Sequence, residues 1–363
     1  MKKILFLLVA FSMAASFALA ETNLAEKIQI QPAQSPKNAP ALSSLLRNQV
    51  GETITMKNEW LKQRAVLKTD WQTFMGELPP ERAPLETKFL AKEDLPTFTR
   101  QYVKYQIEKD VFTDGYLLTP KNLKGKLPAI VVFHPTTPFQ ARGVAGLEPS
   151  YDEEKRQGIH LVERGYIVWC PRNFIFDEGT GKPPNAKMWT ANAKRVHALH
   201  PTWTAMARMT FDAIRAADFV ESLPSVDRKR IGCIGHSLGG KMALYAPAFD
   251  ERYKASVSSE GGIGLKFSNW DAVWYLGPNI KDAKFKSENH QVLSLVAPRA
   301  FLLLAGDSAD NDRSWSFIEA AMPVYKLFGA TKNLGWLNHH QGHRYSPEAR
   351  EMAEAFLDLH FKK

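Results

Sequence analysis

Residues 227–242 read DRKRIGCIGHSLGGKM, and the reading of this stretch decides the fold. Residues 230–234 are a short apolar run suited to a buried strand. Gly235-His236-Ser237-Leu238-Gly239 follows at once, and 240–246 continue as a helix. A G-x-S-x-G motif between a strand and a helix places its serine on a sharp, strained turn. Gly235 and Gly239 omit side chains that would collide where the two elements pack closest. The Ser237 hydroxyl is thereby pushed into a cleft, with a helix start behind it that favours negative charge.

Working outward, the unbroken apolar run at 127–133 (LPAIVVF) and the stretch 166–170 read as buried strands, and 254–258, 300–305 and 334–337 as further strands. Helices are expected at 151–164, 211–223, 315–328 and 347–361. Strands alternating with helices imply an α/β fold, a mostly parallel twisted sheet with helices on both faces. Residues 99–107 and 111–118 alternate in polarity and add further strands, whereas 267–287 break the alternation and read as an insertion over the site. Between 43 and 74, apolar residues recur at three- and four-residue spacing, predicting one or two helices that pack through Trp60 and Trp71.

The chain divides into a signal peptide at 1–20, a leader and N-terminal helical extension at 21–95, and an α/β domain at 96–363. Lys2 and Lys3, an apolar run at 4–17 and Ala18-Leu19-Ala20 are the charged start, hydrophobic stretch and A-x-A site of a secretory leader cleaved after Ala20. A periplasmic or secreted protein with no stable membrane insertion is expected, since no later segment is apolar enough to span a bilayer. Residues 21–45, polar and proline-bearing, read as mobile. Loss of Lys2 and Lys3 would lower the formal charge from +9 to +7. The basic residues are scattered without a stripe of interleaved aromatics, which argues against nucleic acid. Cys170 and Cys233 fall in or beside apolar strands and are expected as buried thiols, with a disulfide left open.

A serine alcohol needs a base to take its proton, and the base needs an acid to hold its tautomer. On this fold the chain order is serine, acid, histidine. His343 is the expected base, because it follows Gly342 in a loop beyond the last strand, with His340 and His339 as alternatives. Asp310 is the expected acid, far enough past strand 300–305 to swing over the sheet's edge. Asp307 reads as a turn former and Asp312 as a helix cap. Glu260, ending strand 254–258 before two glycines, is the rival acid and is expected in an exposed, flexible seat. No acidic ligand stands close to the three histidines in sequence, so no metal site is expected.

The oxyanion of the reaction needs two backbone N–H donors. Leu238 supplies one; Thr136 is expected to supply the other, with Thr137 in reserve, because Pro135 has no N–H. His134 either orients this loop or is a plain core residue. Arg172, after a strand's C-terminal end, either grips a substrate oxygen or pins a long loop. Trp270 and Trp274, with Trp189 and Tyr275, fall in two insertions and are candidates for stacking on sugar rings or for lid packing.

With these residues in view, the chain resembles the α/β-hydrolase superfamily, and looks most like secreted bacterial members near dienelactone hydrolases and acetyl xylan esterases. The resemblance covers roughly 95–360 and rests on HPTT at 134–137, GHSLGGK at 235–241, GDSAD at 306–310 and QGH at 341–343. It implies a serine carboxylic-ester hydrolase that works through an acyl-enzyme, removes small acyl groups from carbohydrate and needs no cofactor. A serine peptidase or amidase of the same fold is one alternative, and a non-catalytic binding module another. Glucuronoyl esterases share the elbow but carry Arg after the nucleophile, where this chain has Leu238.

Overall fold

A computed structural model describes residues 24–34, 36, 38–121, 124–176 and 185–362. The expected signal peptide lies outside the described residues. Nine strands form a single sheet in the order β1-β2-β3-β5-β4-β6-β7-β8-β9. The first three, β1 (Lys88–Asp94), β2 (Phe98–Glu108) and β3 (Val111–Pro120), are antiparallel to their neighbours. From β5 onward all pairs are parallel: β5 (Ile167–Pro171), β4 (Leu127–Phe133), β6 (Val226–His236), β7 (Tyr253–Ser259), β8 (Ala300–Ala305) and β9 (Leu334–Asn338). The parallel strands are the apolar runs of the sequence, buried on both faces because helices cover both.

One face carries α1 (Lys57–Met75), α4 (Ala186–Leu199), α5 (Ala205–Ser222), α6 (Leu238–Phe249), α7 (Asn289–Val296) and α8 (Trp315–Leu327). The other carries α2 (Gln140–Val144), α3 (Gln157–Glu163) and α9 (Pro347–Phe361). The helical stretch expected at 43–74 is helical only from Lys57, and it is no outlying layer. Trp60 and Trp71 of α1 are fully buried in the main core, each burial stabilising by about 3 kcal/mol. Residues 24–29 are also held, contrary to a mobile leader. The Trp336 N–H donates to the Ile28 carbonyl at 2.6 Å, and the Gln29 amide donates to Thr331 and Leu334 carbonyls on the same edge of the sheet. The helix expected at 151–164 shrinks to Gln157–Glu163.

Between β6 and α6 the chain turns at Ser237, whose backbone sits at φ 59°, ψ −116°. That conformation is costly for a residue with a Cβ and persists only where the surroundings enforce it. They do so here: the Ser237 N–H donates to the Ser259 carbonyl at 2.8 Å, and α6 lies against β4 at Gly239. A methyl group on Gly239 would overlap the Phe133 carbonyl oxygen. Gly239→Ala is therefore expected to destabilise the fold by about 3 kcal/mol or more. An unchanged denaturation midpoint for that variant would refute the close-approach account.

Candidate active site

Five loops at the C-terminal edge of the parallel strands bring the chemistry together, where ligands bind in open α/β sheets. Ser237 Oγ–H donates to His343 Nε2 at 2.9 Å. His343 Nδ1–H donates to Glu260 Oε2, also at 2.9 Å. The two bonds fix the neutral tautomer in which Nε2 accepts. The imidazole therefore comes from the loop after β9, as the sequence requires, and its edge is open to solvent.

The carboxylate beside it is not the expected one. Asp310 lies buried beyond hydrogen-bond reach of His343: its oxygens accept from the Gly262 N–H at 2.7 Å, the Ile263 N–H at 2.8 Å and the Ser314 hydroxyl at 2.8 Å. Burial raises its pKa, and the Glu260 charge adds to that against the lowering effect of the Ile263 and Gly262 amides. Glu260 takes the place at the imidazole, and its seat is neither exposed nor flexible. It is 1% exposed, at φ 50°, and its oxygens accept the N–H groups of Gly306 at 2.6 Å, Ala309 at 2.8 Å and Asp310 at 3.3 Å. Each acid is thus bonded to the loop that carries the other. Asp307 pairs with His340 Nδ1 at 2.7 Å, and Asn311, not Asp312, caps the short turn before α8.

The three histidines do not converge. His339 is buried, His340 turns to Asp307, and only His343 reaches the serine. Acids nevertheless stand nearer than the sequence suggested: ligand atoms of Asp307, Asp312 and His340 lie within 4.8 Å of one another, with the Asn338 amide donating to both carboxylates.

Leu238 and Thr136, the expected oxyanion donors, both lie close to Ser237 in the fold. Leu238 is the first residue of α6, where the N–H groups have no intrahelical acceptor. Thr136 lines the same cavity as Ser237. His134 orients the Thr136 loop: its Nδ1–H donates to the Pro135 carbonyl at 2.7 Å, and its Nε2 accepts the Asn173 N–H at 3.1 Å. Burial pulls its pKa down to about 4, which keeps this double role neutral.

Arg172 does not reach the site. Its guanidinium grips both oxygens of Asp114 at 2.5–3.1 Å and donates to the Phe176 carbonyl at 2.6 Å, pinning the loop after β5. Trp270 is likewise withdrawn. It is fully buried, its Nε1–H donating to the Gly262 carbonyl at 2.6 Å. Trp274 does line the cavity, against Trp189 with ring centroids 5.3 Å apart. The cavity holds about 200 Å³. Ser237 and His343 line it together with Trp189, Trp274 and Tyr275 and the polar Lys241, Ser268 and Asn269.

Sequence reading missed Lys241, although a lone lysine one turn past the serine in an otherwise apolar helix was its signal. Its Nζ donates to the Gly261 carbonyl and to Ser268 Oγ, and lies 4.3 Å from the Trp270 ring centroid. Burial lowers its pKa to about 7, opposed by the Asp310 charge. A folded-state pKa below the unfolded 10.5 means that the unfolded chain binds more protons between those values, so this group makes stability rise with pH from about 7 upward. Lys241→Met is expected to lose that rise, read as the change in urea midpoint between about pH 7 and pH 9.5. A variant whose midpoint climbs as steeply as the wild type's would refute it.

The sequence pattern of the dienelactone hydrolase family matches residues 113–290, from β3 through the elbow to the start of α7. The chain has the α/β-hydrolase fold. The α/β-hydrolase fold also emerges from solved structures. A glucuronoyl esterase from Solibacter usitatus superposes with a TM-score of 0.67 at 19% identity, covering 88% of this chain and 99% of that one. A putative acetyl xylan esterase from Bacteroides fragilis gives 0.62 at 15% identity, over 89% and 82% of the two chains. Among curated sequences, the putative hydrolase YtaP of Bacillus subtilis is 27% identical over 241 residues, 64% of this chain and 77% of that protein. Both cysteines of the chain are free and buried, and no helix among the described residues is long and apolar enough to cross a membrane.

Proposed function

We propose that this α/β-hydrolase is a serine esterase that cleaves carbohydrate esters, removing a small acyl group from a sugar hydroxyl through an acyl-enzyme. The observation that carries the reading is the chain of two 2.9 Å hydrogen bonds from Ser237 through His343 to Glu260. In acylation Ser237 Oγ attacks the ester carbonyl as its proton passes to His343 Nε2. The Leu238 and Thr136 N–H groups receive the oxyanion, and Glu260 stabilises the imidazolium. The tetrahedral species collapses, and the departing alkoxide takes the proton from His343. Water then attacks the acyl-Ser237 ester by the same route, releasing the acid and restoring the hydroxyl.

The carbohydrate part rests on the cavity's aromatic wall of Trp189 and Trp274 beside the polar Lys241, Ser268 and Asn269, a combination that suits a ring with an apolar face and several hydroxyls. The structural relatives named above are described as a glucuronoyl esterase and a putative acetyl xylan esterase, which favours the same class. A second reading has the sugar on the acyl side, as a uronic ester. The Lys241 ammonium near the serine favours it, and Leu238 in place of Arg speaks against it. Acetylated xylan and a methyl glucuronate ester, offered to the same preparation, separate the two. Release of acetate with the methyl ester untouched supports the first, and methanol release without acetate supports the second. An enzyme that hydrolyses neither, nor p-nitrophenyl acetate, and resists a fluorophosphonate label removes the esterase reading.

A further inference from the structure

A second cavity of about 260 Å³ adjoins the first, and Tyr275 stands in the wall of both. The same two elements build them. On α4, Trp189 faces the first cavity, while Ala193, Lys194 and His197 face the second, one to two turns further along the helix axis. On the insertion, Trp274 faces the first, while Val273 and 276–279 face the second. One helical turn advances about 5.4 Å, so the two spaces are neighbours along α4.

We propose that this second cavity binds a flat aromatic carboxylate. Its volume exceeds the ~150 Å³ of an apolar cavity known to take up benzene, leaving room for two fused rings. Its lining is chiefly carbon, from buried Ala193, Trp203, Ala205, Tyr275 and Leu276 and from the more exposed Val273. Two of the polar groups nearby are already engaged. Trp203 Nε1–H donates to the Glu77 carbonyl at 2.9 Å, and Thr204 Oγ1 accepts the Ala207 N–H at 3.2 Å as the cap of α5. A ring carrying several hydroxyls would leave them unpartnered inside, at a cost of about 1–3 kcal/mol each. The mouth is different. Lys194 and His197 are exposed there, and no acidic side chain among the described residues lines the cavity. An apolar body with an anionic end matches both regions, the ring inside and the carboxylate at the Lys194 ammonium.

This inference stands apart from the esterase reading, and its test uses binding alone. The full chain is titrated with 2-naphthoate and followed by calorimetry and by the fluorescence of Trp203 and its neighbours. Saturable binding is expected, with Kd on the order of 10⁻⁴ M for a ligand of this size. Val273→Asp places a carboxylate in the apolar wall at an exposed position where folding tolerates it, and should weaken binding at least tenfold. Lys194→Glu should do the same and remove the sensitivity to salt. Naphthalene-2-methanol, which keeps the rings and lacks the charge, should bind several-fold more weakly than naphthoate. Ser237→Ala should bind as the wild type does, so loss of hydrolysis and loss of this site are told apart. Absence of saturable binding, or binding that neither substitution alters, or equal affinity for the alcohol, overturns the proposal.

Discussion

Ser237→Ala is expected to lower kcat/KM on p-nitrophenyl acetate by about 10³-fold or more while leaving the fold intact. In the proposed reaction the hydroxyl becomes bonded to the acyl carbon, and it is the side chain hydrogen-bonded to His343 Nε2 at 2.9 Å. Alanine keeps the Cβ and hence the strain at φ 59°, so the thermal midpoint should move little. The residual rate would come from the oxyanion donors and from binding. A variant retaining a tenth of the wild-type rate would show that the chemistry runs elsewhere in the chain. Loss of the fluorophosphonate label together with activity is the expected companion result.

The second large effect separates two carboxylates. Glu260→Gln is expected to cost about 10²-fold or more in kcat, because an amide facing His343 Nδ1 stabilises the wrong tautomer and cannot support the imidazolium. Asp310→Asn should leave kcat within about tenfold and instead lower stability by about 2 kcal/mol or more, since an amide nitrogen would meet the Gly262 or Ile263 N–H in a buried pocket. Kinetics and urea midpoints on the two variants, side by side, distinguish the roles. A severe kcat loss in Asp310→Asn with an unchanged midpoint would return the triad acid to the loop after β8.

That reversal is also where sequence reading stopped. The parallel strands were legible because burial on both faces writes an unbroken apolar run. The elbow was legible because close packing demands glycine at two fixed places. His343 followed from chain order and from the glycine before it. The acid was not legible, since Glu260 and Asp310 both lie in loops that follow parallel strands at the same edge. Only the path of the backbone, with Glu260 at φ 50°, decides which one faces the imidazole. Arg172 was ambiguous because its partner Asp114 lies 58 positions away on an antiparallel strand. Strand β1 escaped notice because all seven of its residues are exposed and leave no alternation to read. Trp270 and Trp274 sit four residues apart in one insertion. Composition could not say that the first would donate to the Gly262 carbonyl from within the core while the second remained in the cavity wall.

The reciprocal bonding of Glu260 and Asp310 to each other's loops has a mechanical consequence. The turn after β7 and the loop after β8 are fastened twice, and Lys241, Trp270 and Asn289 hold the remaining carbonyls of that turn from below. This half of the cleft behaves as an anvil. Accommodation of guests of differing girth is therefore left to the wall of Trp189 and Trp274, whose rings meet edge to face at 5.3 Å between centroids.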